Sequence, residues 1–327
     1  MTIAVSVIVP ICNVERYLGQ CLASLARQKL KDIEVICLDD GSTDNSGPLL
    51  DQLACSLPNA VVVHKPNSGY GATMNQGLDL ARGEYVGILE SDDFASAALY
   101  RDCYRVAKRH DLDMVRTNYS EYCAGRLKRI GNYSGFPYHR PFDPITCPDI
   151  LGTAPSIWAG LYRRAMLEDQ GVRFVESPGA SFQDTGFSYK TWIAARRVML
   201  LRPGYVRYRV DNAGSSVKSR AKVFALREEF RSIDSFLATQ PAERAAVFAR
   251  AMQQARFGNY RWNYNRIAEG ERPAFVAAIA DEFREAQAAG LLDEASFESG
   301  SWMLMGQLLA LEPEEFCARY SELPWDL

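Results

Sequence analysis

Two acidic segments stand out in the first third of the chain. Asp39-Asp40-Gly41-Ser42-Thr43-Asp44 follows one aliphatic run, residues 34–38, and Glu90-Ser91-Asp92-Asp93 follows another, residues 84–89. Short apolar runs bounded by turn residues read as buried parallel strands. Open α/β sheets bind ligands at the carboxyl ends of their strands. Two carboxylate-bearing ends therefore make an acidic edge, which repels a phosphate unless a cation intervenes. The chemistry this implies is metal-assisted handling of a phosphorylated or nucleotide-linked substrate. A further carboxylate, Asp184, follows Gln183 and the Gly179-Ala180-Ser181 loop at the start of a predicted helix over 184–195.

Other chemistries find less support. His64, His110 and His139 form no metal-spaced motif, and no Gly-x-Ser-x-Gly elbow supports a Ser-His-Asp hydrolase. The eight cysteines show no CxxC pair, which fits reduced thiols better than a disulfide framework or zinc site. A formal net charge of -3 over 327 residues argues against nucleic acid as a partner. No basic leader precedes the first strand, and no apolar run approaches membrane-spanning length. The expected location is cytoplasmic, with peripheral contact at the inner face of the cell membrane left open.

The elements needed to position these residues follow from periodicity. Strands are predicted over 5–9, 34–38, 60–64, 84–89 and 113–117, and helices over 17–28, 46–57, 72–81 and 95–110. This βαβα alternation predicts an α/β fold, a mainly parallel mixed sheet flanked by helices. Five prolines between 137 and 155 indicate turns, a hairpin or a long functional loop. A helix is expected over 158–169. From residue 222 to about 311, Ala, Arg, Glu, Phe and Leu at amphipathic spacing predict a helical C-terminal extension. The expected division is a domain of residues 1–219 followed by a helical module of 220–327, with self-association through the latter as one possible use.

The ordered motifs resemble the inverting nucleotide-sugar glycosyltransferases of family 2, which have the GT-A, Rossmann-like fold. The resemblance covers residues 5–219. It is carried by Val7-Ile8-Val9-Pro10-Ile11-Cys12-Asn13-Val14-Glu15-Arg16-Tyr17-Leu18, the Asp39–Asp44 segment, Asn67-Ser68-Gly69 through Met74-Asn75-Gln76-Gly77, Gly83-Glu84-Tyr85-Val86, Glu90-Ser91-Asp92-Asp93 and Gln183-Asp184. It implies transfer of a sugar from a nucleotide diphosphate, UDP by expectation, to a glycan or lipid-linked acceptor in cell-surface glycan synthesis, with Mn2+ or Mg2+ as cofactor.

Carried onto this chain, the family pattern implies that Asp40 accepts from the base, with Pro10, Asn13, Asp39, Asn67, Gly69 and Asn75 around the nucleotide. Asp92 and then Asp93 would hold the metal, while Glu90 and Ser91 would serve the donor. Lys218, or Arg220, in a later loop would meet the diphosphate. Asp184 would be the catalytic base, with Gln183, Trp158 and His139 on the acceptor side. Trp158 reads equally as core packing. Three positions depart from the family: Glu90 replaces the first Asp of its metal motif, Met74 a customary Arg, and Gln183 an acid. A neutral Gln183 removes like-charge repulsion, which by itself would leave the Asp184 pKa lower. A nucleotidyltransferase and a non-catalytic nucleotide-sugar-binding protein remain as alternatives.

Overall fold

The computed structural model describes residues 3–212 and 223–323; Lys218 and Arg220 lie outside them. The chain forms two compact units. One spans Met1–Cys147 and Thr153–Gly214, the other Pro148–Gly152 and Ser215–Leu327.

The first unit is built on one sheet. Its first half is a parallel block of β3 (Ala60–Lys65), β2 (Ile33–Asp40), β1 (Val5–Ile11) and β4 (Tyr85–Ile88), in that order. Strands β1, β2 and β4 are buried along their whole length, as expected of parallel strands covered on both faces. The intervening helices are α1 (Glu15–Ala26), α2 (Ser46–Ala54) and α3 (Tyr70–Leu80). Helix α1 buries Leu18, Cys21, Leu22 and Leu25, one stripe of a 3.6-residue period.

The second half of the sheet is mixed. After β5 (Phe94–Ala95) and α4 (Leu99–His110) come β6 (Met114–Cys123) and β7 (Arg126–Ile130), an antiparallel hairpin. Strand β8 (Gly160–Arg163) lies antiparallel between β4 and β6, and β9 (Val198–Arg209) runs parallel to β6 and pairs with β5. The Rossmann-like mixed α/β architecture expected from the sequence is thus present. The helix expected over 158–169 is corrected: residues 160–163 form β8, and only Arg164–Asp169 are helical, as α5. The close pairing of β8 with β6 requires Gly160, since a Cβ there would stand 2.0 Å from the Val115 carbonyl oxygen. Helix α6 (Gln183–Ala194) completes the unit.

The second unit is helical: α7 (Ala225–Leu237), α8 (Ala242–Tyr264), α9 (Arg272–Ala288), α10 (Ser299–Ala310) and α11 (Pro313–Arg319). Pro273 sits in the first turn of α9, where a missing N–H costs nothing. Its core joins Phe230, Tyr260, Phe275 and Phe283 through edge-on ring contacts. Among the described residues, no helix is long and apolar enough to cross a membrane.

Candidate active site

The parallel register fixes the first acidic end. Asp39 and Asp40 close β2 opposite His64 and Lys65 of β3. Asp39 accepts from the Ser42 N–H at 3.0 Å and bonds His64 Nδ1 at 2.8 Å, so it shapes the turn that follows. Burial would raise the Asp39 carboxyl, but Ser42 and His64 outweigh it and hold it below the usual range. Asp40 accepts from Lys65 Nζ at 2.5 Å, from the Ser68 N–H at 2.8 Å and from the Gly69 N–H at 3.0 Å. Burial opposes ionisation here too, yet Lys65 and the Ser68 N–H keep Asp40 below the ordinary carboxylate range. An anionic Asp40 is acceptor-only, the character needed to receive an imide N–H.

The loops around this end are tied to it. Pro10 is buried in β1 beside Leu38. Asn13, at φ 54°, accepts through Oδ1 from the N–H groups of Thr43 and Asp44, at 2.8 and 3.3 Å. Asn67 donates to the Asp40 carbonyl oxygen at 2.8 Å. Asn13 and Asn67, expected as donor contacts, thus use these groups to brace the two turns.

The second end is a carboxylate cluster. Asp93 accepts through Oδ1 from the Arg209 N–H at 2.7 Å, and its buried Oδ2 has no hydrogen-bond partner among the described residues. Burial, then Asp92, push Asp93 well above its ordinary pKa. Asp92 is half-buried, accepts from Asn212 Nδ2 at 2.8 Å and offers its backbone oxygen to Arg209 Nε. Ser91 is buried beside them. Glu90 accepts from the Tyr70 hydroxyl at 2.6 Å. Desolvation raises Glu90 to about 8 against that bond, with help from Asp92 and Asp184.

Asp184 joins this cluster from the first turn of α6. Its Oδ1 accepts from the Thr185 N–H at 2.8 Å, and its charge acts on Glu90, Tyr70 and Tyr208. Burial pushes Asp184 up to about 6. Desolvation therefore reverses the lowering expected from a neutral Gln183. A carboxylate poised near 6 is suited to accept a proton at neutral pH.

What holds Asp184 in place is a clasp between α3 and the segment before α6. Asn75, 4% exposed, donates to the Phe174 carbonyl oxygen and to Glu176, and accepts from the Phe174 N–H at 2.9 Å. Gln183, 1% exposed, donates to Ser177 Oγ and the Gly179 oxygen, and accepts from the Ser181 N–H. Both side-chain amides are spent on the scaffold. The expected donor contact at Asn75 and acceptor contact at Gln183 give way to these bonds. Gly69, at φ 89°, lies where a Cβ would meet Gly179 N and Ser177 O at 2.9 Å. Below the clasp, Phe174 stacks on Phe187 with centroids 4.2 Å apart.

Two acceptor-side expectations are also revised. Trp158 is 8% exposed, stacked on Tyr208 at 5.2 Å and edge-on to Tyr119 at 4.8 Å, so its faces serve packing. His139 is exposed and donates its N–H to the Leu200 oxygen, at the opposite end of β9 from Arg209. Met74 is wholly buried and contributes to the core. Tyr70 and Lys65 bond Glu90 and Asp40 directly, roles that the sequence alone does not mark. The usable signal was the strand end His64-Lys65 facing Asp39-Asp40.

A divalent cation implied by the motifs can be tested against these donors. Among the described residues, no group of three or more His, Cys, Asp or Glu side chains is arranged to hold an ion. The half-buried Asp92 carboxylate and the orphaned Asp93 oxygen make a set of one or two carboxylates. That set fits a Mg2+-type ion completing its shell with water and substrate phosphate.

The sheet, with carboxylates at its β2 and β4 ends and a third on α6, defines a ligand-binding α/β protein of the Rossmann-like class. A profile of glycosyl transferase family 2 matches residues 6–170, and the chain belongs to that family. It is 30% identical to the glycosyltransferase EpsJ of Bacillus subtilis over 63% of this chain and 60% of EpsJ. With the glycosyltransferase GlyG of Streptococcus pneumoniae it shares 37% identity over 64% of this chain and 71% of GlyG. The crystal structure of Staphylococcus aureus TarS residues 1–349 in complex with UDP-GlcNAc superposes with a TM-score of 0.79 at 22% identity, covering 98% of this chain and 93% of that one.

Proposed function

We propose that the protein transfers a sugar from a UDP-sugar to a hydroxyl of a glycan or lipid-linked acceptor, with inversion and with a divalent metal. The observation that carries this reading is the convergence of Asp184 with Glu90 and Asp92 from separate segments of the chain. The UDP-GlcNAc bound to TarS, a protein of the same fold, supports the donor class. On this reading the catalytic unit is the sheet-based one.

Each residue then has a task. Asp40 accepts the imide N–H of the base, as an anion held by Lys65 and Ser68. Asp92, with Asp93, would hold the cation, which neutralises the diphosphate as it leaves. Asp184 accepts the proton of the attacking hydroxyl. Tyr70 donates to the Glu90 carboxyl, whose pKa desolvation raises to about 8.

The reading is tested with a panel of nucleotide sugars, with and without Mn2+, read as thermal stabilisation, because a ligand of the native state raises its apparent stability. Selective, metal-dependent stabilisation by UDP compounds is expected; indifference to all of them would refute the donor class. Asp92→Asn is expected to weaken metal-dependent UDP binding about tenfold or more, the loss typical of a charge-assisted contact. Equal UDP affinity in wild type and variant, with and without Mn2+, would remove Asp92 from the metal site.

A further inference from the structure

The reverse face of the sheet carries a second charged feature that the donor site does not use. In the β6–β7 hairpin Ser120 stands opposite Arg129, and across its other edge it stands opposite Arg207 of β9. Residues in register share a face, so two arginines flank one serine in a row across three strands. Neither arginine has a carboxylate partner among the described residues, whereas Lys128, the next residue of β7, is paired with Glu121. Arg207 gives one bond, to its own Gly204 carbonyl oxygen. Ser120 is 7% exposed, so its hydroxyl is nearly enclosed between the two arginines' strands. Gly204 leaves that hydroxyl room, for a Cβ there would stand 3.2 Å from Ser120 Oγ.

Such a placement is unfavourable unless something negative completes it. Two like charges sit side by side, and the half-buried Arg207 is held below its ordinary pKa by desolvation and by Arg129. The guanidinium fork matches tetrahedral phosphate oxygens, and a hydroxyl donor between two forks adds a third hydrogen bond.

We infer that Arg129, Ser120 and Arg207 form a site for a phosphate group carried by the acceptor, separate from the donor diphosphate. Position supports the assignment. Arg207 pairs with Phe94, the residue after Asp93, and its neighbour Tyr208 turns to the opposite face, where Asp93, Asp92 and Asp184 act on it. A phosphate here lies just around the sheet edge from the transfer centre, as it would in a polyol-phosphate or lipid-diphosphate acceptor. Assigning this phosphate to an acceptor rests on the transferase reading above; the anion site itself does not.

The test titrates inorganic phosphate and glycerol 3-phosphate into the full chain by calorimetry, with and without saturating UDP and Mg2+. Wild type is expected to bind both with UDP present. Arg129→Gln and Arg207→Gln should each weaken that binding about tenfold or more and leave UDP affinity unchanged; Arg129 is exposed, so its replacement tests the site without disturbing the core. Phosphate binding that is absent in wild type, or as tight in both variants as in wild type, would overturn the site. A parallel arm compares vesicles of pure phosphatidylcholine with vesicles containing phosphatidylglycerol. Arginine-dependent binding to the anionic vesicles without binding of glycerol 3-phosphate would overturn the acceptor assignment in favour of a lipid headgroup. Failure of UDP to bind would refute the donor reading alone, since the titration without UDP still reports on the arginines.

Discussion

Asp184→Asn is expected to lower kcat by about 100- to 10,000-fold, the range that a positioned general base contributes. UDP affinity should stay within about twofold if, as proposed, Asp184 serves the acceptor hydroxyl and not the nucleotide. The substitution keeps the shape and the Oδ1 that accepts from Thr185, so the start of α6 is preserved. Turnover at the wild-type rate would remove Asp184 from the role of base. The same carboxyl predicts the pH dependence. Burial raises it to about 6, and only its ionised form accepts a proton. Wild-type kcat should therefore fall as pH drops through about 6, and the variant's residual rate should lack that limb.

Stability should move the other way. A carboxyl with a raised native pKa binds its proton more tightly folded than unfolded, so the Asp184 contribution to stability is fully present below the ordinary value of 3.8 and is lost as pH rises through about 6. Above pH 6 the wild-type protein carries the cost of a buried charge, at most about 3 kcal/mol for a shift of this size. Asp184→Asn removes that charge and should raise Tm at pH 8 relative to wild type, with little difference at pH 4. Unfolding scans at the two pH values check the sign. A more stable but inactive variant is the pattern of a group retained for chemistry.

The parts of the fold visible in the sequence are those decided locally. Strands β1, β2 and β4 are buried on both faces, so their aliphatic runs announce them. Strand β9 was not anticipated: Pro203 and Gly204 interrupt it, and the structure accommodates them where its register with β6 shifts around Asn118. The acidic ends and Asp184 were legible because carboxylates at strand ends and helix starts are conspicuous. Their partners were not. Lys65 reaches Asp40 through the pairing of β2 with β3, and Arg209 reaches Asp93 from the end of β9, 116 residues away in the chain. The amides of Asn75 and Gln183 look the same in sequence whether they face a ligand or a backbone, and burial against the segment before α6 decides for the backbone. The same argument separates Met74, which the core absorbs, from the arginine expected of the family.

The clasp makes Gly71→Ala the most damaging small substitution expected in the first unit. A Cβ at Gly71 would stand 1.9 Å from the Val175 carbonyl oxygen and 2.8 Å from its carbon. Both are backbone atoms, so no rotamer change relieves the clash. Helix α3 cannot retreat, because a Cβ at Gly77 would already press within 2.5 Å of Ile8 on its sheet side. The segment 174–179 must yield, against the bonds of Asn75 to Phe174 and of the Tyr70 N–H to the Gly179 oxygen. Overpacking of this kind costs about 1–3 kcal/mol. Activity should suffer more than stability, because Gln183 bonds this segment next to Asp184 and the segment lies against the Tyr70 that holds Glu90. A displacement of about 1 Å in a reacting group lowers rate on the order of 100-fold. Gly19→Ala in α1 supplies the control: nothing lies within 4 Å of its added Cβ, and alanine in a helix interior should stabilise by up to about 1 kcal/mol. Equal Tm and kcat for Gly71→Ala and wild type would show that α3 and the Asp184 segment are not coupled through this contact.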